Sequence, residues 1–453
     1  MDNYQNLNRY QDILGQLPML QTYTQIMYFF PMPQGIPTEK IVRDLSDAVT
    51  TVRKAVPWMG SRIVNIGKGP GTSGEYKSVK CTLPSPAIDV RHLDEVIPKY
   101  EDFQKLKAPV STINSKLLAP VAGFPVPFED SDDNPAHAVR VQANFIRGGL
   151  LVAFAIQHNI ADAGGFSGFV NMVAAVMRGE TIPPKLLEVA NHDRRNAVPL
   201  LQDHEPMLDH SQHLRPPVTA QAPLAPPEAA NYHVFRFTVA NMALIKQMAS
   251  EREGFDPAVP YISTDDAVCA FYWKHVIRVR SGRHAPDTVS RFGRQIDGRR
   301  LAGLPSTYMG AMAYTVTCSM TFGEIAEAPL STIASRLRKS LNQTSTLYNL
   351  RSFATFVARE PDKSKITYAG KFNPSTDIGS SSVRSYTGLF PAFGYLGQPE
   401  FIRRPPSVPF AGSLIMWPGN PAGDCDAIAC LTDSDFKALS ADLEWNSLVE
   451  HIG

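Results

Sequence analysis

The sequence GLLVAFAIQHNIADAGG, residues 149–165, indicates how this chain is built. The stretch from Leu150 to Gln157 is apolar on both of its alternating faces, which is typical of a strand buried inside a sheet. His158 follows the strand, Asp162 comes four residues later, and two glycines come next. This order predicts a buried strand, a short loop and a helix, with a histidine at the corner.

His158 is the main candidate for chemistry. Imidazole has an unperturbed pKa of about 6.5, so it can accept a proton near neutral pH. A lone histidine is also often a structural residue with a satisfied ring, and the pattern by itself leaves that alternative open.

The segments around this corner predict further helices and strands. Residues 138–146 alternate apolar and polar side chains, and Arg147-Gly148-Gly149 provides a turn, so the histidine strand belongs to a hairpin. Helical spacing predicts amphipathic helices between Pro37 and Pro57 and from Phe166 to about Arg178. In the second half, Ser263 and Asp266 form a capping box at the start of another helix.

A break in composition divides the chain. Residues 205–231 contain many prolines and few large apolar side chains, which indicates an extended crossover. We therefore expect a first domain at 1–204 that carries the histidine and a second domain at 232–453. Both halves mix helices and strands, which predicts an α/β fold with a cleft between the halves.

Composition excludes several classes of protein. The chain has 453 residues, with 44 Lys plus Arg against 43 Asp plus Glu, so no charge excess suggests nucleic acid as a partner. Five scattered cysteines do not suggest a disulfide framework, and no metal site is assigned. No apolar run reaches the roughly 20 residues of a membrane span, and the amino terminus lacks a signal-peptide core. We expect a soluble, cytoplasmic protein that does not bind membranes.

His158-x-x-x-Asp162 with its glycines resembles the HxxxD motif of the BAHD acyltransferases and of the wider group that includes chloramphenicol acetyltransferase and the condensation domains of peptide synthetases. Asp297-Gly298-Arg299 and Ser263-Thr264-Asp265-Asp266-Ala267 lie where that family has counterparts. The region 393–400, Phe-Gly-Tyr-Leu-Gly-Gln-Pro-Glu, is similar to the family's DFGWG region. The likeness is greatest to fungal trichothecene 3-O-acetyltransferase-like enzymes.

The resemblance implies a fold and an activity. The fold would be two pseudo-equivalent chloramphenicol-acetyltransferase-like domains, with mixed sheets, flanking helices and a solvent channel between them. The activity would be acyl-CoA-dependent O-acyl transfer, with acetyl as the expected group, to a hydroxyl of a fungal secondary metabolite. His158 would be the general base, without a covalent intermediate. Acyl-CoA would be a co-substrate, no cofactor would be tightly bound, and the enzyme would be a monomer.

The resemblance also implies roles for other residues. Asp162 would pair with an arginine, for which Arg299 is the candidate, and so hold the loop. A helix-capping role for Asp162 beside Gly164 and Gly165 is an equal alternative, and the two can coexist. Ser381 is the candidate donor to the oxyanion. Ser263, Thr264 and Arg403 are candidate contacts of coenzyme A, although surface charge is an alternative for Arg403.

Two departures from the family pattern keep other functions open. Ala392 replaces the aspartate of the DFGWG region, so a family ion pair at the domain junction is missing or remade. Val383 stands where the family usually has tryptophan. One alternative is therefore a family member repurposed as a cofactor-independent cyclase, eliminase or other metabolite-transforming enzyme. Another is a catalytically silent binding protein in which His158 is dispensable.

Overall fold

The chain forms two large mixed β-sheets covered by helices. A computed structural model describes residues 7–83, 86–216, 228–368 and 370–453. The strands in these ranges are β1 (Tyr23–Pro31), β2 (Ser61–Ile66), β3 (Glu75–Lys80), β4 (Asp89–His92), β5 (Val139–Ile146), β6 (Gly149–Gln157), β7 (Ala230–Phe237), β8 (Val289–Asp297), β9 (Ala313–Thr321), β10 (Ile378–Ser382), β11 (Phe401–Arg403), β12 (Ser413–Pro418), β13 (Cys425–Thr432) and β14 (Glu450–His451).

The α-helices differ widely in length. They are α1 (Thr38–Ala55), α2 (Tyr100–Leu106), α3 (Ser115–Leu118), α4 (Ala163–Met177), α5 (Pro184–Ala190), α6 (Val239–Ala249), α7 (Thr264–Arg280), α8 (Phe322–Glu327), α9 (Leu330–Thr344), α10 (Leu347–Arg359), α11 (Asp433–Ser440) and α12 (Leu443–Leu448). Short 3₁₀ turns make up much of residues 7–20, before β1.

The first sheet has the strand order β11-β1-β6-β5-β4. Its central strand is β6, in which every residue is buried, and β1 and β5 pair with it antiparallel. Gly148 lies in the β5–β6 turn with a φ of +79°, a left-handed conformation that favours glycine. The predicted buried strand and hairpin are therefore confirmed, and the strand ends one residue before His158.

The second sheet has the strand order β14-β7-β13-β12-β10-β8-β9. Strand β10 runs parallel to both β8 and β12, with Ser380 opposite Arg294 on β8. The predicted capping box is confirmed at the start of α7, where Ser263 is the N-cap and Asp266 completes the box. The prediction of mixed sheets with flanking helices is also confirmed.

One strand of the C-terminal half joins the first sheet. β11 pairs antiparallel with β1, so the two halves of the chain interlock. The domain limits at 204 and 232 stay a prediction, since residues 217–227 of the crossover lie outside the described residues. Among its described residues, Leu214 forms a β-bridge with Ile366 of the second half.

The junction around Ala392 is held through the backbone. Arg178, just after α4, donates Nη1 to the carbonyl oxygen of Ala392 at 2.7 Å and also pairs with Glu180. Gly394 has a φ of +58°, and a Cβ there would lie 2.3 Å from the carbonyl oxygen of Met177. Arg178 therefore reaches this segment even though the family's aspartate is absent.

Candidate active site

His158 lies at the carboxyl end of β6, the central strand of the first sheet. Its backbone N–H donates to the carbonyl of Thr22 at 2.8 Å, which continues the pairing of β6 with the chain before β1. The ring Nδ1 lies 3.2 Å from the carbonyl oxygen of Ala161. Because a carbonyl oxygen only accepts, Nδ1 carries the proton in this contact. The lone pair of Nε2 is then available, and Nε2 has no protein partner among the described residues.

The surroundings of His158 favour its neutral form. Burial lowers the pKa of the ring below its ordinary value of 6.5, because a buried imidazolium loses its hydration. The negative charge of Asp162 acts in the opposite direction and offsets part of this effect. The residue as a whole is half-buried rather than fully enclosed. A neutral ring with a free lone pair on Nε2 is the state that a general base requires.

Asp162 joins the histidine loop to the second half of the chain. Arg299, which follows β8, donates Nη2 to Oδ1 at 2.6 Å and Nη1 to Oδ2 at 2.9 Å. The backbone N–H of Met312 also donates to Oδ2, at 3.0 Å. Asp162 is 6% exposed and Arg299 is 2% exposed, so the pair is buried. The bidentate geometry holds the loop after β6 against the end of β8.

Asp162 is at the same time the N-cap of α4. Its Oδ1 accepts from the N–H groups of Gly164 at 2.9 Å and Gly165 at 3.3 Å. The two alternatives for this aspartate therefore coexist in the structure. Burial alone raises the pKa of Asp162, but the charge and hydrogen bonds of Arg299 outweigh it, so the pKa lies below its ordinary value.

The two glycines allow the close approach that this arrangement requires. A Cβ at Gly164 would lie 2.7 Å from Nη2 of Arg299. A Cβ at Gly165 would lie 2.2 Å from the carbonyl oxygen of Met309. Any larger residue at either position would push the helix away from its partner segment, so both glycines support the site through packing.

Ser381 lies on β10 and presents its hydroxyl away from its serine neighbours. Successive side chains of a strand alternate between faces, so Ser381 shares a face with Gly379, opposite Ser380 and Ser382. Ser382 donates to Asp265 at 2.7 Å, whereas the hydroxyl of Ser381 has no partner among the described residues. β8, the neighbour of β10, continues into Asp297 and Arg299.

Ser263 and Thr264 lie at the start of α7. The Ser263 hydroxyl accepts from the N–H of Asp266 at 3.2 Å and donates to its carboxylate at 2.7 Å. Its hydrogen-bonding capacity is thus largely used by the helix cap. Thr264 is the first residue of α7 and is half-buried. Their contact with coenzyme A stays a prediction.

The prediction that Arg403 contacts coenzyme A was wrong, and so was the alternative of a solvated surface charge. Arg403 is 1% exposed and pairs with Asp426 at 2.9 Å. Its other donors bind the carbonyl oxygens of Ala108 and Lys107, each at 2.7 Å. β11 is the edge strand of the first sheet, and the pairing of Arg403 with Asp426 of the second sheet buries this side chain. A sequence pattern for a short strand does not show that.

Three further residues, for which the sequence offers no signal, support the loop that follows His158. Asn159 donates to the carbonyl of Gly15 at 2.6 Å, and Arg194 donates to the carbonyl of Ile160 at 2.7 Å. Asp12 accepts from the N–H of Ala311 at 2.9 Å. Asp12 and Arg194 lie far from the motif in sequence and belong to irregular segments, so no periodicity could have identified them.

A cavity of about 340 Å³ lies against the second sheet. Polar side chains of β8 and β9 line it, together with Gly379 of β10, Tyr368 and Lys371. Gly379 shares a face of β10 with Ser381, so the cavity lies on the Ser381 side of the sheet. His158 is not one of its lining residues.

The described residues also bear on metal binding and on membrane insertion. Within the described ranges, no group of three or more His, Cys, Asp or Glu side chains is placed to hold a metal ion. None of the helices in these ranges is long and apolar enough to cross a membrane.

Two family models match the chain. The model of the trichothecene 3-O-acetyltransferase-like N-terminal domain matches residues 22–176. The model of the Transferase family matches residues 107–445, which is most of the sequence. The chain belongs to the Transferase family. The predicted recognition, and with it an enzyme of the acyltransferase class, is thereby confirmed.

Similar proteins come from fungal biosynthesis. The O-acetyltransferase epaC of Aspergillus niger is 52% identical, over 99% of this chain and 98% of that protein. The O-acyltransferase pigD of Monascus ruber is 43% identical, over 98% of this chain and 99% of that protein. The trichothecene 3-O-acetyltransferase of Fusarium sporotrichioides is 32% identical, over 98% of this chain and 96% of its own length.

Solved structures confirm the fold. TRI101 of F. graminearum, complexed with coenzyme A and deoxynivalenol, has a TM-score of 0.90 at 28% identity, over 98% of this chain and 99% of that one. Vinorine synthase has a TM-score of 0.64 at 16% identity, which supports the fold alone. The family transfers acyl groups from coenzyme A, so this chain is an acyl-CoA-dependent O-acyltransferase with coenzyme A as a co-substrate.

Proposed function

We propose that this enzyme transfers an acetyl group from acetyl-CoA to a hydroxyl of a fungal secondary metabolite, with His158 as the general base. The observation that carries the proposal is the state of the imidazole. Nδ1 donates to Ala161, the pKa is lowered by burial, and Nε2 is left with a free lone pair. The O-acetyltransferase relatives support the choice of acetyl.

The reaction follows from that geometry. Nε2 of His158 takes the proton of the acceptor hydroxyl while the oxygen attacks the thioester carbonyl. The resulting tetrahedral oxyanion collapses, the carbon–sulfur bond breaks, and Nε2 returns the proton to the thiolate of coenzyme A. The products are an ester and free coenzyme A, and no bond to the enzyme forms. A positioned base of this kind typically contributes about 10²- to 10⁴-fold to the rate.

Ser381 is the proposed donor to the oxyanion. Its hydroxyl has no protein partner within the described ranges and lies on the cavity side of β10. A donor aimed at developing charge stabilises the transition state more than the ground state. Val383, which replaces the family's tryptophan, is 5% exposed and packs in the core. Its apolar side chain has no N–H group, so it offers no second donor.

The acceptor is proposed to enter through the 340 Å³ cavity beside β10. Its position on the Ser381 face and its polar lining of Gln295 and Thr315 suit an oxygen-rich molecule. Gln295 lies two residues before the end of β8, roughly 7 Å along the strand. A panel of hydroxylated fungal metabolites would identify the acceptor.

A monomer in the cytoplasm is part of the same proposal. His158 and Ser381 belong to one chain, so the reaction requires no second subunit. Size-exclusion chromatography coupled to light scattering is the direct check of the monomer.

The first experiment is calorimetric titration of the purified enzyme with coenzyme A and acetyl-CoA, followed by a thiol-release assay. The acceptor panel contains hydroxylated fungal metabolites, with deoxynivalenol as one probe because TRI101 of F. graminearum binds it. We expect saturable binding and acceptor-dependent thiol release, and we expect His158→Ala to bind coenzyme A but to lose about 10³-fold in turnover. A His158→Ala enzyme with unchanged turnover would contradict the general-base role. A wild-type enzyme that does not bind either thioester or thiol would contradict acyl transfer.

A further inference from the structure

A buried polar cluster lies behind the loop that joins His158 to Asp162. Its members are Asp12, Asn159, Arg194 and Tyr308, each no more than 3% exposed. Apart from Asn159, these residues belong to segments far from the motif in sequence. Buried polar groups cost stability unless they are hydrogen-bonded, so the burial of these four polar side chains requires an explanation.

The loop is held at several successive positions. Asn159 donates Nδ2 to the carbonyl of Gly15 at 2.6 Å. Arg194 donates Nη1 to the carbonyl of Ile160 at 2.7 Å. Asp162 is bound by Arg299, as described above. The carbonyl of Ala161 is the one that receives Nδ1–H of His158. The residues that hold the loop therefore surround the carbonyl that orients the ring.

Arg194 is an unusual buried cation. No carboxylate of the described chain lies within ion-pair distance of it, and its Nε and Nη2 atoms have no protein partner there. The guanidinium lies 4.6 Å from the ring centroid of Trp58, and Nη1 also donates to the carbonyl of Tyr10 at 3.3 Å. A guanidinium remains charged in proteins, so the charge is present in the interior at all relevant pH values.

Among carboxylates, Asp12 has the strongest electrostatic influence on Arg194. Its carboxylate accepts from the N–H groups of Gly15 at 2.8 Å and Ala311 at 2.9 Å. Burial raises the pKa of Asp12 to about 6, while the charge of Arg194 acts to lower it. Asp12 thus interacts electrostatically with Arg194 and also binds the segment of Gly15 that holds Asn159.

We propose that Arg194 is a positioning residue for His158 and that Asp12 is its counter-charge, an inference that rests on the proposed function of His158. Arg194 holds the carbonyl of Ile160, and so sets the orientation of the peptide that leads to Ala161. Without this bond the Ala161 carbonyl no longer stays opposite Nδ1. The ring is then free to adopt the other tautomer, in which Nε2 carries the proton and cannot act as a base.

The test compares Arg194→Met with Arg280→Met. Methionine keeps an apolar stem over Trp58 but removes the charge and the donor. Arg280 is an equally buried arginine, 1% exposed and paired with Asp435. It ends α7, about 24 Å along the helix from the end that contacts β10. Arg280→Met therefore measures the loss of a buried arginine without a change at the histidine loop.

The main readout is the tautomer of His158 without substrates. Long-range ¹⁵N–¹H spectra of histidine-labelled enzyme report it, and the His158→Ala spectrum assigns the signal. We expect the Nδ1–H tautomer in the wild type and in Arg280→Met, and a mixture in Arg194→Met. In the acetyl-transfer assay, kcat of Arg194→Met should fall about 10- to 100-fold with KM for acetyl-CoA changed no more than about twofold, because misplacement acts on the chemical step.

Two further variants keep the test decisive if Arg194→Met does not fold. Arg194→Lys retains a charge and a donor for Ile160, so it should keep the wild-type tautomer and most of kcat. Asp12→Asn should lower kcat less than Arg194→Met does, again with KM unchanged. Wild-type tautomer and kcat in a folded Arg194→Met, or in Asp12→Asn where Arg194→Met does not fold, would overturn the proposal. The tautomer result is independent of turnover, so an enzyme that proves not to transfer acetyl would overturn the proposed function and still test the positioning.

Discussion

Two buried carboxylate–arginine sites connect the two sheets, and they differ in what surrounds them. Asp162 and Arg299 join the end of β6 to the end of β8. Asp426 on β13 binds Arg403 on β11 and Arg236 on β7, at 2.9 Å and 2.7 Å. Both carboxylates are nearly inaccessible, at 6% and 1% exposure. Both sites therefore cross between the sheets with similar chemistry.

The difference lies in the neighbouring chain. Asp162 also caps α4 and lies on the loop whose carbonyl orients His158. The Asp426 site has no part of that loop nearby, and Arg403 uses its other donors on the carbonyls of Ala108 and Lys107. We therefore expect an interdomain ion pair to affect catalysis only where it shares a loop with the reacting group. Asp162→Asn and Asp426→Asn test this difference directly.

The largest effect is expected for Asp162→Asn. The substitution leaves Arg299 buried without its partner, which should cost about 3–5 kcal/mol of unfolding free energy. Because the loop also orients His158, kcat should fall about 10²-fold as well. Denaturant unfolding and acetyl-transfer assays measure the two effects. Loss of stability with kcat unchanged would show that the pair does not position the histidine.

The pH dependence of kcat/KM also distinguishes the Asp162 site from the Asp426 site. The pKa of His158 is lowered by burial, so kcat/KM should rise with pH to a plateau reached below the usual histidine range, with about a tenfold loss for each pH unit below that pKa. Asp162 raises the pKa of His158, so Asp162→Asn should move this acid limb to lower pH. Asp426→Asn should leave it in place. If the acid limb of the kcat/KM profile moved to higher pH in Asp162→Asn, the assignment of this limb to His158 would be contradicted.

The folded state also binds the His158 proton less tightly than the unfolded chain does. This group therefore destabilises the folded state at acid pH, and its unfavourable contribution disappears as pH rises through the unfolded pKa of about 6.5. Wild type and His158→Ala should differ in this part of the stability profile.

A smaller effect is expected from the hydroxyls of β10. Ser381→Ala should lower kcat about tenfold, the equivalent of one hydrogen bond in the transition state. Ser382→Ala is the matched control, since its hydroxyl binds Asp265 on the other face, and it should change kcat little. Steady-state assays at saturating acetyl-CoA compare the two. Equal losses would remove Ser381 from the oxyanion site.

The smallest effect on activity is expected for Asp426→Asn. Two buried arginines lose their partner, so the unfolding free energy should fall by at least about 3–5 kcal/mol. At a temperature where the variant is folded, kcat should stay within about threefold of the wild type. A larger loss of kcat would mean that the domain junction itself controls the site, and the contrast with Asp162 would fail.

Much of the fold near the site was predictable because it rests on local patterns. The run from Leu150 to Gln157 is apolar on both faces, and only a central strand buries both. The turn at Gly148 and the capping box of Ser263 depend on neighbouring residues alone. Arg403 shows the limit, since a three-residue edge strand carries no signal that its arginine will pair with a carboxylate of the other sheet.

The sequence by itself determined the position of His158 after a buried strand, the glycines behind Asp162, and membership of an acyltransferase family. These features depend on short-range periodicity and on a motif of fixed spacing. Only the tertiary structure decided that Nε2 is the free nitrogen, that Asp12 and Arg194 lie behind the loop, and that Arg403 is buried. Each of these depends on contacts between residues that are not neighbours in the chain or on the orientation of a ring, and neither leaves a periodic trace in the sequence.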